Sequence, residues 1–230
     1  MVVSGTIVSV AVPDVMGSFG VGLDQAQLMT SAFNIAMVTS QLLSAWMVAA
    51  LGQRGGFLLM AIIFTVGSVI AGVSQEFNMV VVGRVLQGVA AGVIQPLVMV
   101  VAFQVFPPER RGYAMALYSM GVFMAVAVGP IVGGIVIEVF DWRYIFWAPL
   151  PVIGIASLMA WMFVPSVRSK EKVPFDWTGY VLLVICVYCL ITALTEGVRE
   201  GWTSSYILGL FLVGIVSGVA LIFTLSLIHI

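Results

Sequence analysis

The sequence predicts an all-α membrane protein, and two observations support this. Of its 230 residues, 62% are hydrophobic and only 8% are charged, whereas charged residues make up about 25% of a typical soluble domain. The apolar residues also fall into long runs, which are divided by short segments containing glycine, proline or charged side chains. Because a membrane-spanning helix needs about 20 apolar residues, the chain has room for about eight of them.

The predicted helices follow these apolar runs in order. They cover residues 1–17, 25–51, 56–74, 78–104, 113–138, 143–164, 177–195 and 204–225. The loops on one side of the membrane carry most of the basic residues, namely Arg54, Arg110, Arg111, Arg168, Lys170 and Lys172. The loops on the other side carry Arg143 and Arg199. Since basic residues accumulate in cytoplasmic loops, both chain ends are predicted to lie in the cytoplasm.

Few residues could support catalysis or metal binding. The single histidine is His229, and there is no H-E-x-x-H pattern. We therefore predict no catalytic residue, no metal site and no enzymatic activity, and the composition gives no sign of nucleic-acid binding. Cys186 and Cys189 have C-x-x-C spacing, but they lie midway along an apolar helix, which favours packing over redox chemistry.

The fourth predicted helix contains polar side chains at membrane depth. Arg84 is the charged one, and Gln87 and Gln95 are its polar neighbours. A charge at this depth costs at least a few kcal/mol and usually faces a protein interior or a wet cavity. We expect the stripe at positions 84, 88, 91 and 95 to line such a cavity. The alternatives are a structural cation held by backbone carbonyls or reaching the surface, and glutamines that join helices by hydrogen bonds.

The fifth predicted helix has a seam of small residues spaced four apart, namely Gly121, Ala125, Gly129 and Gly133. Such a seam lets a second helix approach closely. Pro130 and Gly134 lie beside it and are expected to loosen the helix locally.

Four segments together resemble motifs of one transporter family. The run VVVGRVLQGVAAG at 80–92 resembles the fourth-helix motif of the major facilitator superfamily, and AVAVGPIVGG at 125–134 resembles the fifth-helix motif of its antiporters. The segments FPPERRGYA at 106–114 and DWRYIF at 141–146 resemble connecting loops of its EmrB/QacA-type drug:proton antiporters, which have fourteen helices.

The resemblance implies a domain organisation. Residues 1–164 would form the N-terminal six-helix bundle with an incomplete first helix, 165–176 a cytoplasmic linker, and 177–225 two additional central helices. Residues 226–230 read as a foreign tail. The chain would then be the N-terminal portion of such a transporter, truncated at both ends.

The resemblance also implies a function. It is proton-coupled efflux of drugs or toxic amphipathic compounds across the bacterial cytoplasmic membrane by alternating access, with the proton as coupling ion and no other cofactor. The partners would be small amphipathic substrates and the lipid bilayer, and a periplasmic adaptor with an outer-membrane channel is left open. The alternatives are export of a metabolite, sugar or siderophore on the same fold, or a non-functional fragment.

Two positions depart from the family pattern. The family's first-helix acid corresponds to Ser4, and an acid after its second helix corresponds to Ala49. Asp14 lies near the outer end of the first helix, where counting along the helices gives it a depth similar to that of Arg84. We therefore expect either a water-linked pair of Asp14 and Arg84 or a solvated Asp14 at the helix end.

The remaining candidate residues lie on the second helix and in the loops. Asn34 and Gln41 are candidates for substrate contact, with hydrogen bonding to a neighbouring helix as the alternative. Gly52 and Arg54 are expected to keep turn and cytoplasmic anchoring roles. Arg111 and Gly112 belong to the loop before the fifth helix.

Overall fold

The computed structural model describes residues 1–164 and 175–228, with side chains up to residue 224, and the regular structure within these ranges is helical. The chain separates into two compact units, one on each side of residues 165–174. The described residues contain seven helical stretches that are long and apolar enough to cross a membrane, and one of them, Tyr144–Phe163, comprises two consecutive helices. The predicted all-α membrane class is therefore confirmed.

The first unit contains α1 (Val2–Phe19), α2 (Leu23–Ser40), α3 (Leu43–Gly72), α4 (Phe77–Val105), a 3₁₀ turn (Pro108–Arg110), α5 (Arg111–Val139), α6 (Tyr144–Trp147) and α7 (Leu150–Phe163). Both α4 and α5 have 29 residues, which corresponds to a length of about 43 Å. Either helix can therefore cross a bilayer alone.

The second predicted helix, 25–51, is interrupted in the structure. It comprises α2 and the start of α3, with a turn at residues 41–42 between them. The hydroxyl of Thr39 donates to the carbonyl of Ile35 at 2.8 Å, and that of Ser44 donates to the carbonyl of Gln41 at 2.7 Å. Such side-chain bonds to the backbone compete with the helical pattern, and an apolar run does not reveal them.

The boundary between the second and third predicted spans lies inside α3, at Gly52. Its backbone has φ 73° and ψ 168°, which is not helical. The sixth predicted span is likewise divided into α6 and α7, because Pro149 has no backbone N–H to continue the helix between them.

Helix α4 is the centre of the first unit, where it packs against α2 and α3, while α1 packs against α5. The α3–α4 contact depends on Gly83. A Cβ atom at Gly83 would lie 2.6 Å from the carbonyl oxygen of Gly67 and 2.8 Å from the Cβ of Ala71. Only a hydrogen fits in that space, so the backbones of these helices nearly touch.

Two apolar clusters fill the remainder of the first unit. One cluster joins α1, α2, α3, α4 and α6 and includes Ile7, Met29 and Phe146. The other joins α3, α4 and α7 and includes Phe64 and Val93.

The second unit consists of α8 (Trp177–Glu200) packed against α9 (Ser205–Ile228). The carboxylate of Asp176 accepts a hydrogen bond from the backbone N–H of Gly179 at 2.9 Å and caps the start of α8. Cys186 and Cys189 are free thiols on the face of α8 that meets α9. This placement agrees with a packing role for both.

Candidate functional site

The polar residues predicted on the fourth helix lie on the inner face of α4. Arg84 and Gln87 are three residues apart, so they point to the same side of the helix. Both side chains are fully buried, with no exposed surface. The first unit therefore encloses the guanidinium group completely.

Arg84 connects three helices through hydrogen bonds. Its Nε donates to the carbonyl of Met29 on α2 at 3.2 Å, and its Nη1 donates to the carbonyl of Ser4 on α1 at 3.0 Å. Nη1 also donates to the Oε1 of Gln87 at 3.0 Å and to the hydroxyl of Ser4 at 3.4 Å. The Nε2 of Gln87 extends the network to the hydroxyl of Ser68 on α3 at 2.8 Å. All these acceptors are neutral.

An aromatic ring and a glycine shape the surroundings of this network. The ring of Phe33 lies 4.0 Å from the central carbon of the Arg84 guanidinium, a cation–π contact. A Cβ atom at Gly88 would lie 2.9 Å from the Cβ of Ala36 and even closer to the carbonyl oxygen of Phe33. Glycine at position 88 therefore lets α4 approach α2 closely enough for Arg84 to reach its backbone.

In the described first unit Arg84 itself is enclosed and does not face a cavity, whereas Ala91 and Gln95 of the same predicted stripe line one. Two of the four acceptors of Arg84 are backbone carbonyls, as in the structural alternative that the sequence left open. The same enclosure leaves its Nη2 atom without a hydrogen-bond acceptor among the described residues. Burying a charge costs several kcal/mol even after the surroundings relax, so the protein retains Arg84 at a considerable cost.

Of the two alternatives for Asp14, the described residues do not show a pair with Arg84. Asp14 is exposed on α1 and has no ion pair with any described residue. Arg84 contacts Ser4, which lies ten residues before Asp14, so the two side chains are separated by about 15 Å along the helix axis. Counting depth from helix ends failed because it assumed equal starting levels for α1 and α4.

Gln95 lies apart from the Arg84 network. It lines a cavity of about 250 Å³ together with Met1, Phe57, Val98, Tyr118 and other mainly apolar side chains. Asn34 and Gln41 are half-buried on and just after α2. Neither belongs to the Arg84 network or to the lining of this cavity.

The seam predicted on the fifth helix meets α1 through two of its four members. A Cβ atom at Gly133 would lie 2.8 Å from the Cγ1 of Ile7 and 3.0 Å from its carbonyl oxygen, and one at Gly129 would overlap the hydroxyl of Thr6. By contrast, a Cβ at Gly121 or Gly134 would meet no other atom within 4 Å.

Two further members of this motif lie beside the contact. Ala125 is half-buried, and Pro130 is exposed within α5. The described part of the first unit therefore uses half of the seam.

The loop residues have local structural roles. Gly52 has the positive φ that breaks α3, and the Nε of Arg54 donates to the carbonyl of Val164 at the end of α7 at 2.8 Å. Arg111 donates to the carbonyl of Phe103 at 3.2 Å. Gly112 is exposed. The predicted residues 165–174 of the linker and 229–230 of the tail lie outside the described residues.

The sequence did not predict one polar cluster, which lies at the C-terminal end of α1. The indole N–H of Trp142 donates to the hydroxyl of Ser18 at 2.8 Å, and the guanidinium of Arg143 lies 4.5 Å from the Trp142 ring. Arg143 also donates to the carbonyl of Ser74 at 3.3 Å. The segment DWRYIF contained the signal, because a tryptophan beside an arginine at a helix end often anchors neighbouring segments.

The fold and the site together define a multi-pass membrane protein with a charged network in its interior. A sequence pattern described as "Major Facilitator Superfamily" matches residues 1–229. The chain belongs to the major facilitator superfamily, which confirms the predicted fold and family.

Curated relatives place the chain more closely. It is 33% identical to the multidrug export protein EmrB of Haemophilus influenzae over 224 residues, which cover 96% of this chain and 44% of that protein. It is 34% identical to EmrB of Escherichia coli K12 over 208 residues, which cover 89% of this chain and 40% of that protein. It is 30% identical to YhcA of Bacillus subtilis, an uncharacterised MFS-type transporter, and the match covers 96% of this chain and 42% of that protein. The chain therefore spans less than half the length of these relatives.

Solved structures agree on the fold. A POT peptide transporter in complex with sulfate has a TM-score of 0.61 at 13% identity, with 90% of this chain and 44% of that chain covered. A bacterial homologue of the lysosomal transporter Spinster has a TM-score of 0.59 at 16% identity, with 91% of this chain and 53% of that chain covered. At these identities the likeness concerns the fold alone.

Proposed function

We propose that the protein exports amphipathic drugs or toxic compounds across the bacterial cytoplasmic membrane. Export would proceed by alternating access and would be driven by proton entry. The distribution of basic residues favours a cytoplasmic N-terminus for this arrangement.

The observation that carries the proposal is the buried Arg84 network. Charges within membrane-spanning segments are rare and usually mark a transport pathway or a coupling site. Here the charge joins α1, α2 and α4 through hydrogen bonds. The substrate class is supported by the relatives that are named multidrug export proteins.

The role proposed for Arg84 is to hold these three helices in register around the pathway. The network contains no carboxylate, since the acceptors of Arg84 are Ser4, Met29 and Gln87. Proton binding would therefore use an acid outside this network. Arg84 would influence such an acid through its positive charge rather than through direct contact.

The test is dye efflux from a bacterial strain that lacks its own multidrug pumps. Cells producing the full-length protein should extrude a fluorescent cationic or neutral dye faster than cells with an empty vector, and a protonophore should abolish the difference. Equal dye retention with and without the protein would contradict export. Efflux that continues unchanged in the presence of the protonophore would contradict proton coupling but would not contradict export.

A matched pair of variants connects this test to the network. Arg84→Gln removes the buried charge and the hydrogen bonds to Ser4 and Met29, so we expect efflux to fall at least about tenfold, the effect of about 1.4 kcal/mol. Arg111→Gln makes the same chemical change at the exposed first residue of α5 and should retain efflux. Membrane levels of both variants must match the wild type. Equal efflux by the two variants would contradict a role for Arg84.

A further inference from the structure

A groove runs between α3 and α7 on the surface of the first unit. It has a volume of about 460 Å³, and its walls include Leu58, Ile62 and Val66 on α3 and Gly154 and Ser157 on α7. Ile62 is 61% exposed and Val66 is 47% exposed. A Cβ atom at Gly154 would meet no other atom within 4 Å. The described helices of the first unit therefore leave this groove open.

The lining of the groove suits a hydrocarbon chain. No charged residue is among the described residues that line it, and the side chains with a hydroxyl are Thr65 and Ser157. The hydroxyl of Thr65 donates to the carbonyl of Ala61 within α3 at 2.8 Å, so it is already used. A polar ligand would lose its hydration here and gain few hydrogen bonds in return.

A cationic side chain lies at one end of the groove. Arg54 precedes Leu58 by four residues, so it lies one helical turn beyond the lining of α3 and on the same face. Its Nε donates to the carbonyl of Val164 at the end of α7 at 2.8 Å, so Arg54 reaches from one wall helix to the other. Its Nη1 and Nη2 make no hydrogen bond or ion pair with any described residue. Neither atom is enclosed, in contrast to the Nη2 of Arg84.

The length from Arg54 to the far end of the groove matches one leaflet of a bilayer. Arg54 and Val66 are twelve residues apart, which corresponds to about 18 Å along α3. The hydrocarbon core of a bilayer is about 30 Å thick, so one leaflet contributes about 15 Å. Arg54 lies on the side of the membrane that has most of the basic residues, close to the headgroups of the predicted cytoplasmic leaflet. A lipid whose chain follows the groove would therefore hold its headgroup beside Arg54.

We propose that the groove binds an anionic phospholipid, with one acyl chain between α3 and α7 and the phosphate at Nη1 and Nη2 of Arg54. The guanidinium donates charge-assisted hydrogen bonds to phosphate oxygens, and its planar fork fits their geometry. A zwitterionic lipid would fill the groove with its chain in the same way, but its cationic headgroup would oppose the charge of Arg54. The site should therefore prefer an anionic headgroup.

This site is separate from the Arg84 network that carries the proposed function. Lipid binding stabilises the folded first unit whether or not a drug is transported. It can therefore be tested without measuring transport, and the proposed function can fail while the lipid site stands.

The experiment is thermal unfolding of the purified, delipidated full-length protein in detergent. Phosphatidylglycerol, phosphatidylcholine and inorganic phosphate are added separately at constant ionic strength, and the response is the rise in Tm from the lipid-free value of the same protein. We expect a saturable rise with phosphatidylglycerol, as for a ligand that binds only the folded state. The rise should be smaller with phosphatidylcholine and absent with inorganic phosphate.

Three substitutions separate the headgroup site from the chain site. Arg54→Gln removes the charge, so the phosphatidylglycerol concentration for half of the Tm rise should increase about fivefold, the effect of one basic residue at an anionic membrane surface. Arg54→Lys keeps the charge and should keep most of the preference for phosphatidylglycerol. Gly154→Leu fills the groove from a position where the new Cβ meets no other atom, and it should reduce the response to both lipids.

The matched controls are Arg110→Gln and Gly121→Leu, which should respond like the wild type. Arg110 is an exposed basic residue on the same predicted side of the membrane. A Cβ at Gly121 also meets no other atom within 4 Å, and Gly121 does not line the groove.

Four results would overturn the proposal. The first is an equal response to the two lipids, and the second is a response to inorganic phosphate alone. The third is a response of Arg54→Gln or Gly154→Leu that equals that of its control. The fourth is a wild type that responds to neither lipid, which would mean that another segment of the full-length protein covers the groove.

Discussion

The packing of α1 against α5 makes the sharpest prediction, through the substitution Gly133→Ala. The added Cβ would lie 2.8 Å from the Cγ1 of Ile7 and 3.0 Å from its carbonyl oxygen. Apolar carbons prefer a separation of about 3.5–4.0 Å, so α1 must move away by roughly 1 Å. Ile7 cannot turn aside, because it is fully buried in an apolar cluster. Overpacking of this kind costs about 1–3 kcal/mol.

The neighbouring residue provides the control. A Cβ at Gly134 would meet no other atom within 4 Å, so Gly134→Ala should change stability by less than about 0.5 kcal/mol, as surface substitutions usually do. The measurement is the Tm of both variants and of the wild type in one detergent. Gly133→Ala should unfold several degrees lower, and Gly134→Ala should match the wild type. Equal Tm values for the two variants would refute the inferred contact.

A larger side chain extends the prediction to function. Gly129→Leu adds a four-carbon side chain whose Cβ would overlap the hydroxyl of Thr6. This new Cβ would also lie 3.1 Å from the Cβ of Thr6. We expect lost dye export by protein that still inserts into the membrane. Gly121→Leu introduces the same side chain into open space in the described first unit and separates the contact with α1 from the general effect of a leucine on α5. Wild-type export by Gly129→Leu would contradict the packing role.

Three further substitutions follow from single contacts. Trp142→Phe removes the hydrogen bond to Ser18 while keeping an aromatic ring, and should lower stability by about 0.5–1.5 kcal/mol, as measured from the Tm. Arg54→Ala removes a donor to the carbonyl of Val164 at a partly exposed helix end, and a chemical denaturation series should show a loss of about 1 kcal/mol or less. Asp14→Asn should leave proton-driven dye efflux unchanged, because Asp14 is exposed and has no charged partner among the described residues; a loss of coupling in proteoliposomes with an imposed pH gradient would contradict this.

The sequence was sufficient to predict the membrane class, the approximate positions of the helices and the presence of polar groups on the inner face of α4. These features depend on composition and periodicity along one segment. The acceptors of Arg84 were not predictable, because Met29, Phe33 and Ser68 contact the network only when three helices adopt one particular register. A single sequence contains no direct information about the register between helices.

The same limit explains the seam on α5. A spacing of four places Gly121 and Gly129 on one face, but the spacing does not show where the partner helix makes contact. In the structure, Gly129 lies beside Val3 and Gly133 beside Ile7, so α1 and α5 run in the same direction. A Cβ at Gly121, eight residues earlier on α5, would meet no described atom within 4 Å. The register between the two helices therefore decides which glycines lie in the contact.

Two kinds of contact hold the helices of the first unit together. Arg84 joins α1, α2 and α4 through acceptors that include two carbonyls, which accept from the guanidinium with a second lone pair. Helix α5 is attached to this group by the fit of its glycines against α1. A displacement of any one of these four helices would break either a buried hydrogen bond of a charged group or a close-packed contact. In the proposed export cycle, these contacts would favour movement of the first unit as one body over sliding of one helix past another.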